Sequence, residues 1–362
     1  MPWVTPVFDD EAFGVKRGKG RGVSDSKLEA YLRSFQTDNQ LHSFQEPIRE
    51  DLDRMQLVLR KFFRSHIRLI QHVGDHLLEM SGKRFRPALT LLISRLYGEP
   101  RKDPVFAAAV IELIHTATLV HDDTIDKSAM RRGLPTINSL YNDLVSTILG
   151  DYIYTKSLVD LTERGEHQIM EVVTRTAYRM SIGEMLQIQQ KQEPTPTEED
   201  YRELVDAKTA SLMSASCEVG ALVAGMDAAH VDRFCSFGME LGRAYQVTDD
   251  VFDFVGDSGA LGKYGKSDLA EGKVTLPLIL ALGQCKKEER ARVLDILGRG
   301  EVTLDDWSFV GELLAVHGTL EECRSRAFMS ADRALKIIEG LPPSAYLDGL
   351  RQAVHYAVAR SH

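Results

Sequence analysis

The chain has 362 residues, of which 43% are hydrophobic and 27% are charged, and its formal net charge is −9 at pH 7. This composition is typical of a globular protein, and the acidic balance argues against a nucleic-acid-binding protein, in which a basic domain is expected. The four cysteines are scattered without C-x-x-C spacing, so neither a zinc site nor a dense disulfide framework is predicted, and a reducing, cytoplasmic location is favoured. We expect neither a signal peptide nor a membrane span, since no uncharged apolar run approaches about 20 residues.

The N-terminal part differs in composition from the rest of the chain. Residues 1–40 are rich in Gly, Asp, Ser and Lys and have no sustained periodicity, which predicts a flexible polar tail. Residues 41–362 have apolar residues at helical spacing and almost no strand-like alternation, which predicts one large all-α domain. The first helical pattern is found between Leu52 and Met80.

Three later stretches are apolar nearly all round: Val105 to Val120, Ser211 to Met226, and Phe234 to Val255. Helices of this kind occupy the middle of a large core. Gly238 and Gly242 lie one turn apart in the third stretch and could allow a close contact between helices, although either glycine could also be incidental.

Several helix starts are indicated by capping residues. Thr197 with Asp200 and Thr319 with Glu322 resemble capping boxes, and Ser344 is a candidate cap for a last helix. The helix that follows Thr319 is expected to end near Gly340.

Two aspartate clusters of the form D-D-x-x-D lie at the C-terminal ends of two of these apolar stretches. They are Asp122, Asp123 and Asp126, and Asp249, Asp250 and Asp253. Residues four apart share a helix face, so their like charges repel, and apolar surroundings add a loss of solvation. One such cluster alone is usually a solvated helix face, but two with basic neighbours indicate binding of Mg²⁺, which takes hard oxygen ligands and completes its shell with water and phosphate.

Basic residues accompany the carboxylates in four places. Lys83, Arg84 and Arg86 precede Pro87, which suits a first helical turn, so they would surround a helix N-terminus suited to phosphate, with Arg86 itself biased away from helix. The other three groups are the Arg131-Arg132-Gly133 run, Lys208-Thr209, and glycine-spaced lysines that include Lys263 and Lys273.

Each of these groups also has a simpler interpretation. A basic turn or a glycine-rich loop is often only solvated, and a lysine entering an apolar helix is usually a surface residue with a buried stem. The Arg131-Arg132 pair could balance the carboxylates or equally hold a diphosphate bridged by metal. His115, two turns before Asp122, would by itself be a core histidine, and His121 should point away from the site. Together, however, the groups indicate metal-assisted departure of a diphosphate.

At these residues the chain resembles the trans-isoprenyl diphosphate synthases, the polyprenyl synthetase family, from about residue 45 to the C-terminus. The resemblance is carried by G-K-R-x-R-P at 82–87, H-x-x-T-L-V-H-D-D-x-x-D-x-x-x-x-R-R-G at 115–133, G-E-M-L-Q at 183–187, K-T at 208–209, Q-V-x-D-D-x-x-D at 246–253 and G-K-x-T-L-P at 272–277. It implies a single helical bundle around a deep central apolar cavity, with the two aspartate motifs facing each other at its mouth.

The resemblance also implies roles for individual residues. Asp122, Asp126 and Asp249 would bind two or three Mg²⁺ ions directly, and Asp123, Asp250 and Asp253 partly through water. Other residues would bind the allylic diphosphate (Arg131, Lys208 and Lys263) or isopentenyl diphosphate (Lys83, Arg86, His115 and Arg132), assist loop closure (Lys273), or direct oxygen dipoles at the developing carbocation (Thr209 and Gln246).

The product predicted by this resemblance is a trans-polyprenyl diphosphate of C30 to C50. Ala117 and Thr118, one turn before Asp122, are small where short-chain members of the family often have an aromatic residue, so the floor of the cavity should lie deeper, near Tyr178, Met180 or Met185. Replacing Ala117 with Tyr or Phe should then shorten the product. A geranylgeranyl or farnesyl diphosphate synthase remains the nearest alternative.

Two other classes fit the sequence less well. A class I terpene cyclase normally has N/D-x-x-S/T-x-x-x-E as its second metal motif, whereas a noncatalytic subunit of a heteromeric synthase would usually lose one aspartate motif. The resemblance further implies a homodimer, and we expect at most a transient membrane contact during product release.

Overall fold

The structure is a computed structural model that describes residues 43–80, 82–192, 195–255 and 268–359. The predicted tail at residues 1–40 and the predicted glycine- and lysine-rich loop with Lys263 lie outside the described residues.

The described residues confirm the all-α prediction. A short 3₁₀ turn (Glu46–Ile48) precedes the first helix, and a π-helical segment (Asp206–Ala210) links α8 and α9. The helices are α1 (Arg49–Phe62), α2 (Arg68–Glu79), α3 (Phe85–Ser94), α4 (Pro104–Ile125), α5 (Ile137–Leu140), α6 (Asp143–Glu163), α7 (His167–Gln192), α8 (Glu198–Val205), α9 (Ser211–Ala224), α10 (Ala228–Val255), α11 (Leu276–Gln284), α12 (Lys287–Arg299), α13 (Leu304–Val316), α14 (Thr319–Ile337) and α15 (Ala345–Ala359).

The three apolar stretches form the central helices α4, α9 and α10. Helix α10 packs against α9 and α14, whereas α4 packs against α3 and α6, and α9 also contacts α3 and α7. Because these helices are covered on several sides, nearly every position of α4 before its aspartates is buried or half-buried.

Helix α4 is also the one described helix that is long and apolar enough to cross a membrane, judged by length and composition alone. Most of its apolar stretch is buried inside the protein. Since a helix that is hydrophobic all round is equally expected at the centre of a large core, we interpret α4 as a core helix.

The predicted close contact of Gly238 and Gly242 with a neighbouring helix is confirmed. A Cβ atom at Gly238 would lie 2.5 Å from the Cα of Ser214, and one at Gly242 would lie 2.5 Å from the Cα of Ala210. Backbone atoms cannot turn aside as side chains do, so α10 crosses α9 and the π-helical segment before it at a distance that only glycine permits.

We therefore expect Gly238→Ala to lower the free energy of unfolding by roughly 1–3 kcal/mol, the usual effect of overpacking. Chemical denaturation would measure the change. Gly311→Ala in α13 is the matched control, because a Cβ there would meet nothing within 4 Å. Equal stability of the two variants would contradict the close-crossing argument.

The predicted helix caps have mixed outcomes. The capping box of Thr197 with Asp200 is present, and the hydroxyl of Ser344 accepts a hydrogen bond from the backbone of α15, at 3.1 Å. The box predicted at Thr319 is wrong, because Gly318 takes a left-handed conformation (φ +62°) and Thr319 is already inside α14. This helix ends at Ile337, close to the predicted end near Gly340.

Candidate active site

The two aspartate-rich helix ends open on one cavity of about 380 Å³. Its wall combines carboxylates and basic groups with apolar side chains such as Leu119, Met180 and Val205. Many of the predicted site residues line this cavity: Arg86, His115, Thr118, Asp122, Asp126, Arg131, Lys208, Thr209, Gln246, Asp249, Asp250 and Lys273.

The first aspartate motif lies at the C-terminal end of α4. Asp122 and Asp126 face the cavity. Asp123 is turned away from it and accepts hydrogen bonds from the Nε of Arg131 at 2.9 and 3.0 Å. As predicted, His121 points elsewhere, towards Asp151, 3.3 Å away.

The second motif lies at the C-terminal end of α10. Asp249 and Asp250 line the cavity. Asp250 is buried and accepts hydrogen bonds from the hydroxyl of Tyr201 (2.5 Å) and the Nε2 of Gln246 (2.8 Å). Asp253 accepts a hydrogen bond from the backbone N–H of Asp268 at 2.8 Å.

Each motif contains carboxylates whose charged form is disfavoured. Burial raises the pKa of Asp122 to about 6, with Glu184 adding to the shift and Lys208 opposing it. Burial, followed by the charge of Asp268, raises the pKa of Asp250 to about 8 and that of Asp253 to about 7. The negative ends of two helix dipoles meet the same cavity, which adds to the demand for positive charge.

Lysines supply part of that charge. Lys191 of α7 lies 3.1 Å from one carboxylate oxygen of Asp126, and Lys273 lies 3.6 Å from the other. Burial raises the pKa of Asp126, but Lys273 and Lys191 together bring it below its ordinary value. Asp126 therefore connects α4 with α7 and with the segment before α11.

Lys208 and Thr209 lie on the π-helical segment, a local widening that is often found at functional sites. The Nζ of Lys208 donates to Glu184 at 2.5 Å and to Gln187 at 3.0 Å, and it lies 3.7 Å from Asp122. Thr209 donates to the side-chain oxygen of Gln246 at 2.6 Å. The segment thus contacts both aspartate motifs, through Lys208 and through Gln246.

The Arg131-Arg132-Gly133 run forms a small hairpin of β1 (Met130–Arg131) and β2 (Leu134–Pro135). Arg132 and Gly133 both have positive φ angles, as a two-residue type I′ turn requires. Arg131 reaches Asp123, whereas the guanidinium of Arg132 lies against the backbone of Gly82, where a Cβ would be 2.3 Å from it.

The basic turn before α3 differs in detail from the prediction. Arg84 takes a left-handed conformation (φ 52°) as the N-cap, so the helix starts at Phe85. Arg86 is therefore helical, and the expectation that Pro87 would bias it out of the helix is wrong. Arg84 and Arg86 point inwards, while Lys83 stays exposed beside the ring of Tyr356, 5.4 Å from its centroid.

His115 and the inward-facing arginines form a group that suits an anion. The Nε2 of His115 lies 3.1 Å from the Nη1 of Arg86. Burial and the nearby arginines lower the pKa of His115 well below its ordinary value, so the ring is neutral. In the described part of the chain, nitrogen atoms of Arg84, Arg86 and His115 are buried without hydrogen-bond partners, as expected for donors that await a ligand.

The chain-length candidates occupy different positions. Thr118 lines the cavity, whereas Ala117 is packed in the core at 3% exposure. On α7, Met180 lines the cavity, but Tyr178 and Met185 are 68% and 64% exposed. Within a single copy of the chain, the prediction that Tyr178 or Met185 forms the floor of the cavity is therefore wrong. These two residues lie on the opposite helix face from Met180.

Several functional candidates were missed by the sequence argument. Their signal was weak because each depends on a partner that is distant in sequence. They are Arg84 as an inward-facing cation, Glu112, Lys191, Tyr201 and Asp268, together with Glu184 and Gln187, whose motif was noted without a role.

The oxygen donors of the cavity fit a divalent cation such as Mg²⁺. Asp122, Asp126 and Asp249 all line it, and burial raises the pKa of Asp122, so a bound cation would stabilise its charged form. Within the described ranges, however, no three acidic, His or Cys side chains converge closely enough to enclose a cation by themselves. Diphosphate oxygens and water would therefore have to complete its shell.

Comparison with known proteins agrees with this geometry. The family model described as polyprenyl synthetase matches residues 67–312. The chain is 34% identical to octaprenyl diphosphate synthase of Escherichia coli K12, with 88% of this chain and 99% of the relative covered. It is 33% identical to an all-trans-nonaprenyl-diphosphate synthase of Rhodobacter capsulatus, with 87% and 96% covered.

Solved structures show the same architecture. A decaprenyl diphosphate synthase from Rhodobacter capsulatus superposes with a TM-score of 0.83 at 35% identity, and 88% of this chain and 98% of that chain are covered. A polyprenyl synthase from Caulobacter crescentus CB15, complexed with calcium and isoprenyl diphosphate, gives a TM-score of 0.82 at 30% identity over the same shares.

The helical bundle and its paired aspartate motifs define a prenyltransferase with the all-α isoprenoid synthase fold. The chain belongs to the polyprenyl synthetase family.

Proposed function

We propose that this chain adds isopentenyl diphosphate repeatedly to an allylic diphosphate and makes a trans-polyprenyl diphosphate of C30 to C50. The observation that carries the proposal is the single cavity on which two aspartate-rich helix ends and the basic side chains converge. Relatives named for octaprenyl, nonaprenyl and decaprenyl products support a long chain.

The two diphosphates would occupy neighbouring parts of the site. The allylic diphosphate would lie between Asp122, Asp126 and Asp249, where Lys208 and Lys273 stand beside the carboxylates. Lys263 is proposed to join them from outside the described residues. Arg131 would contribute by shifting from Asp123 towards the ligand.

Isopentenyl diphosphate would bind at the basic turn, through Lys83, Arg86, His115 and Arg132. The neutral His115 and the unpartnered buried nitrogen atoms there are donors for phosphate oxygens. A guanidinium binds phosphate well because its planar array of donors can make two parallel hydrogen bonds.

Two or three bound Mg²⁺ ions would neutralise the charge of the leaving diphosphate. These ions would be bound directly by Asp122, Asp126 and Asp249, and partly through water by Asp123, Asp250 and Asp253. The chain's own residues would do the rest. Lys208 and Lys273 position the allylic diphosphate, and the oxygen atoms of Thr209 and Gln246 direct dipoles at the developing cation. Leu119, Met180 and Val205 keep water away from it, and the departing diphosphate accepts the proton released on condensation.

We expect turnover to require Mg²⁺ and to stop in excess EDTA, because the crowded carboxylates repel a diphosphate that has no bridging cation. Mg²⁺ together with an unreactive diphosphate analogue should also raise the melting temperature, since a ligand at 100 times its Kd stabilises the folded state by about 2.7 kcal/mol. The analogue without Mg²⁺ is the control, and full activity in excess EDTA would exclude the proposed metal role.

Product identity is tested by incubating the chain with farnesyl diphosphate, isopentenyl diphosphate and Mg²⁺ and analysing the products by mass spectrometry. Elongated products of C30 to C50 are expected. A product that stops at C15 or C20 would favour a short-chain synthase, diphosphate release without isopentenyl diphosphate would favour a terpene cyclase, and no turnover would favour a noncatalytic subunit.

The proposal includes a cytoplasmic homodimer that contacts membranes only transiently, for product release. An exposed apolar stripe supports the dimer. It comprises Leu144 and Ile148 on α6 and Tyr178, Ile182 and Met185 on α7, with exposures of 40–71%. The α7 residues recur at i, i+4 and i+7, so they form one helix face, and a second copy of the chain would cover it.

We expect Ile182→Lys to shift the chain from dimer to monomer in sedimentation velocity experiments, because a buried charge without a partner would oppose association. Val316→Lys is the control, since Val316 is 80% exposed and lies outside this stripe. A monomeric wild type, or a dimeric Ile182→Lys variant, would contradict this interface.

A further inference from the structure

Behind the substrate-facing residues of the basic turn lies a buried ion pair. The Nε of Arg84 is 3.9 Å from the Oε1 of Glu112, and the two side chains are only 9% and 13% exposed. They line a small cavity of about 50 Å³ that shares His115 and Arg131 with the main cavity. The pair therefore lies next to the proposed substrate contacts without facing the main cavity itself.

Three guanidinium groups act on the Glu112 carboxylate. Burial raises the pKa of Glu112, and the charges of Arg84, Arg86 and Arg132 oppose that shift. Arg131, by contrast, is paired with Asp123. Three guanidinium groups around one carboxylate leave excess positive charge, which suits a diphosphate, but they would repel one another without the carboxylate.

The backbone of Arg84 shows that the inward position is imposed by its surroundings. Its φ of 52° is uncommon for any residue other than glycine. Such a conformation persists where neighbouring structure holds it. Here the guanidinium is enclosed, but its Nε and Nη1 have no hydrogen-bond partner among the described residues. The surrounding structure therefore holds the side chain inside although two of its hydrogen-bond donors are unpaired.

We propose that Glu112 is a positioning residue for the isopentenyl diphosphate site, acting through Arg84 and Arg132 to hold the guanidinium groups behind Arg86 and His115 in a binding arrangement. This inference rests on the proposed function of the chain. Glu112 does not touch substrate, and its effect is confined to one of the two diphosphates, because the allylic diphosphate lies on the aspartate side of the cavity.

Two roles of Glu112 predict opposite results. If the carboxylate only offset positive charge, Glu112→Gln would strengthen diphosphate binding, since a negative charge next to the ligand would disappear. If it positions the arginines, the same change lets them separate and weakens binding. Hydrogen bonds to charged groups contribute enough for their misplacement to raise Kd about tenfold or more.

The test measures binding of isopentenyl diphosphate alone by isothermal titration calorimetry in EDTA, where no condensation occurs. Glu112→Gln is expected to raise Kd about tenfold and to raise KM for isopentenyl diphosphate while leaving KM for the allylic substrate unchanged. The control is Glu218→Gln, which removes a similarly buried carboxylate paired with Arg175 on α7. Unchanged or tighter binding by Glu112→Gln, or an equal rise in both KM values, would overturn the proposal.

A second variant tests the proposal even if Glu112→Gln alone destabilises the fold. The double variant Arg84→Gln, Glu112→Gln removes both charges of the pair, so it does not leave Arg84 as an unpaired ion in the interior. If the pair acts as a unit, its Kd should equal that of Glu112→Gln rather than the product of the two single effects, and multiplicative effects would contradict the pairing. Failure of the wild type to bind isopentenyl diphosphate would instead contradict the proposed function.

Discussion

Asp122→Ala and Asp249→Ala are each expected to lower turnover by at least about 10²–10³-fold, the range found when one preorganised electrostatic group is removed from an active site. Both side chains line the cavity from opposite aspartate motifs. In the proposed site, loss of either one would remove a direct ligand from a cation that bridges the diphosphate to the protein. Steady-state product formation with farnesyl diphosphate and isopentenyl diphosphate would measure the loss.

The fold should survive these substitutions. Burial raises the pKa of Asp122, which means that its charge is not stabilised where it lies, and its removal relieves repulsion with Glu184 and Asp126. The melting temperature should therefore stay level or rise. Asp160→Ala is the control, because Asp160 is 27% exposed, close to the 23% of Asp122, and is paired with Lys156 away from the aspartate motifs. Turnover at the wild-type rate by either motif variant would exclude the metal assignment.

Thr118→Phe is expected to shorten the main product to C20 or less while the first condensation continues. Thr118 faces the cavity one turn below Asp122, on the same face of α4 as His115 and Asp122. An aromatic ring at this position would fill the path along which the chain must extend. Mass spectrometry of the products measures the change, and Thr118→Val, which keeps the volume of the side chain, should leave product length unaltered.

Ala117→Phe should also shorten the product, but the structure makes it a less direct test. Ala117 is buried in the core rather than in the cavity wall. A ring there would overpack the core and lower stability by roughly 1–3 kcal/mol before it reaches the substrate path. If Thr118→Phe leaves product length unchanged, the cavity below Asp122 is not the elongation path. This conclusion holds regardless of the product length that Ala117→Phe gives.

The aspartate motifs and the core helices were predictable because their signals are local. Residues at i and i+4 share a helix face in any fold, so Asp122 and Asp126 could be paired on the sequence alone. The same holds for Gly238 and Gly242 and for the capping box at Thr197. The three apolar stretches could also be predicted as core helices, because a helix without a polar face is usually buried in the core of a large protein.

What only the tertiary structure decided is how residues distant in sequence meet. Lys191 and Lys273 approach Asp126 from two different elements, and Tyr201 reaches Asp250 across 49 positions. No periodicity encodes such a contact, because it depends on how the helices cross. Helix phase explains the errors near the cavity, since Met180 faces inwards while Tyr178 and Met185 face outwards.

By itself, the sequence determined an all-α prenyltransferase with two aspartate motifs and a basic turn before α3. Tertiary packing decided which charges meet: it placed Glu112 among three arginines and turned Asp123 away from the cavity towards Arg131. The physical reason is that buried charges are stable only beside specific partners, and those partners are brought together by the crossing of helices that are far apart in the chain.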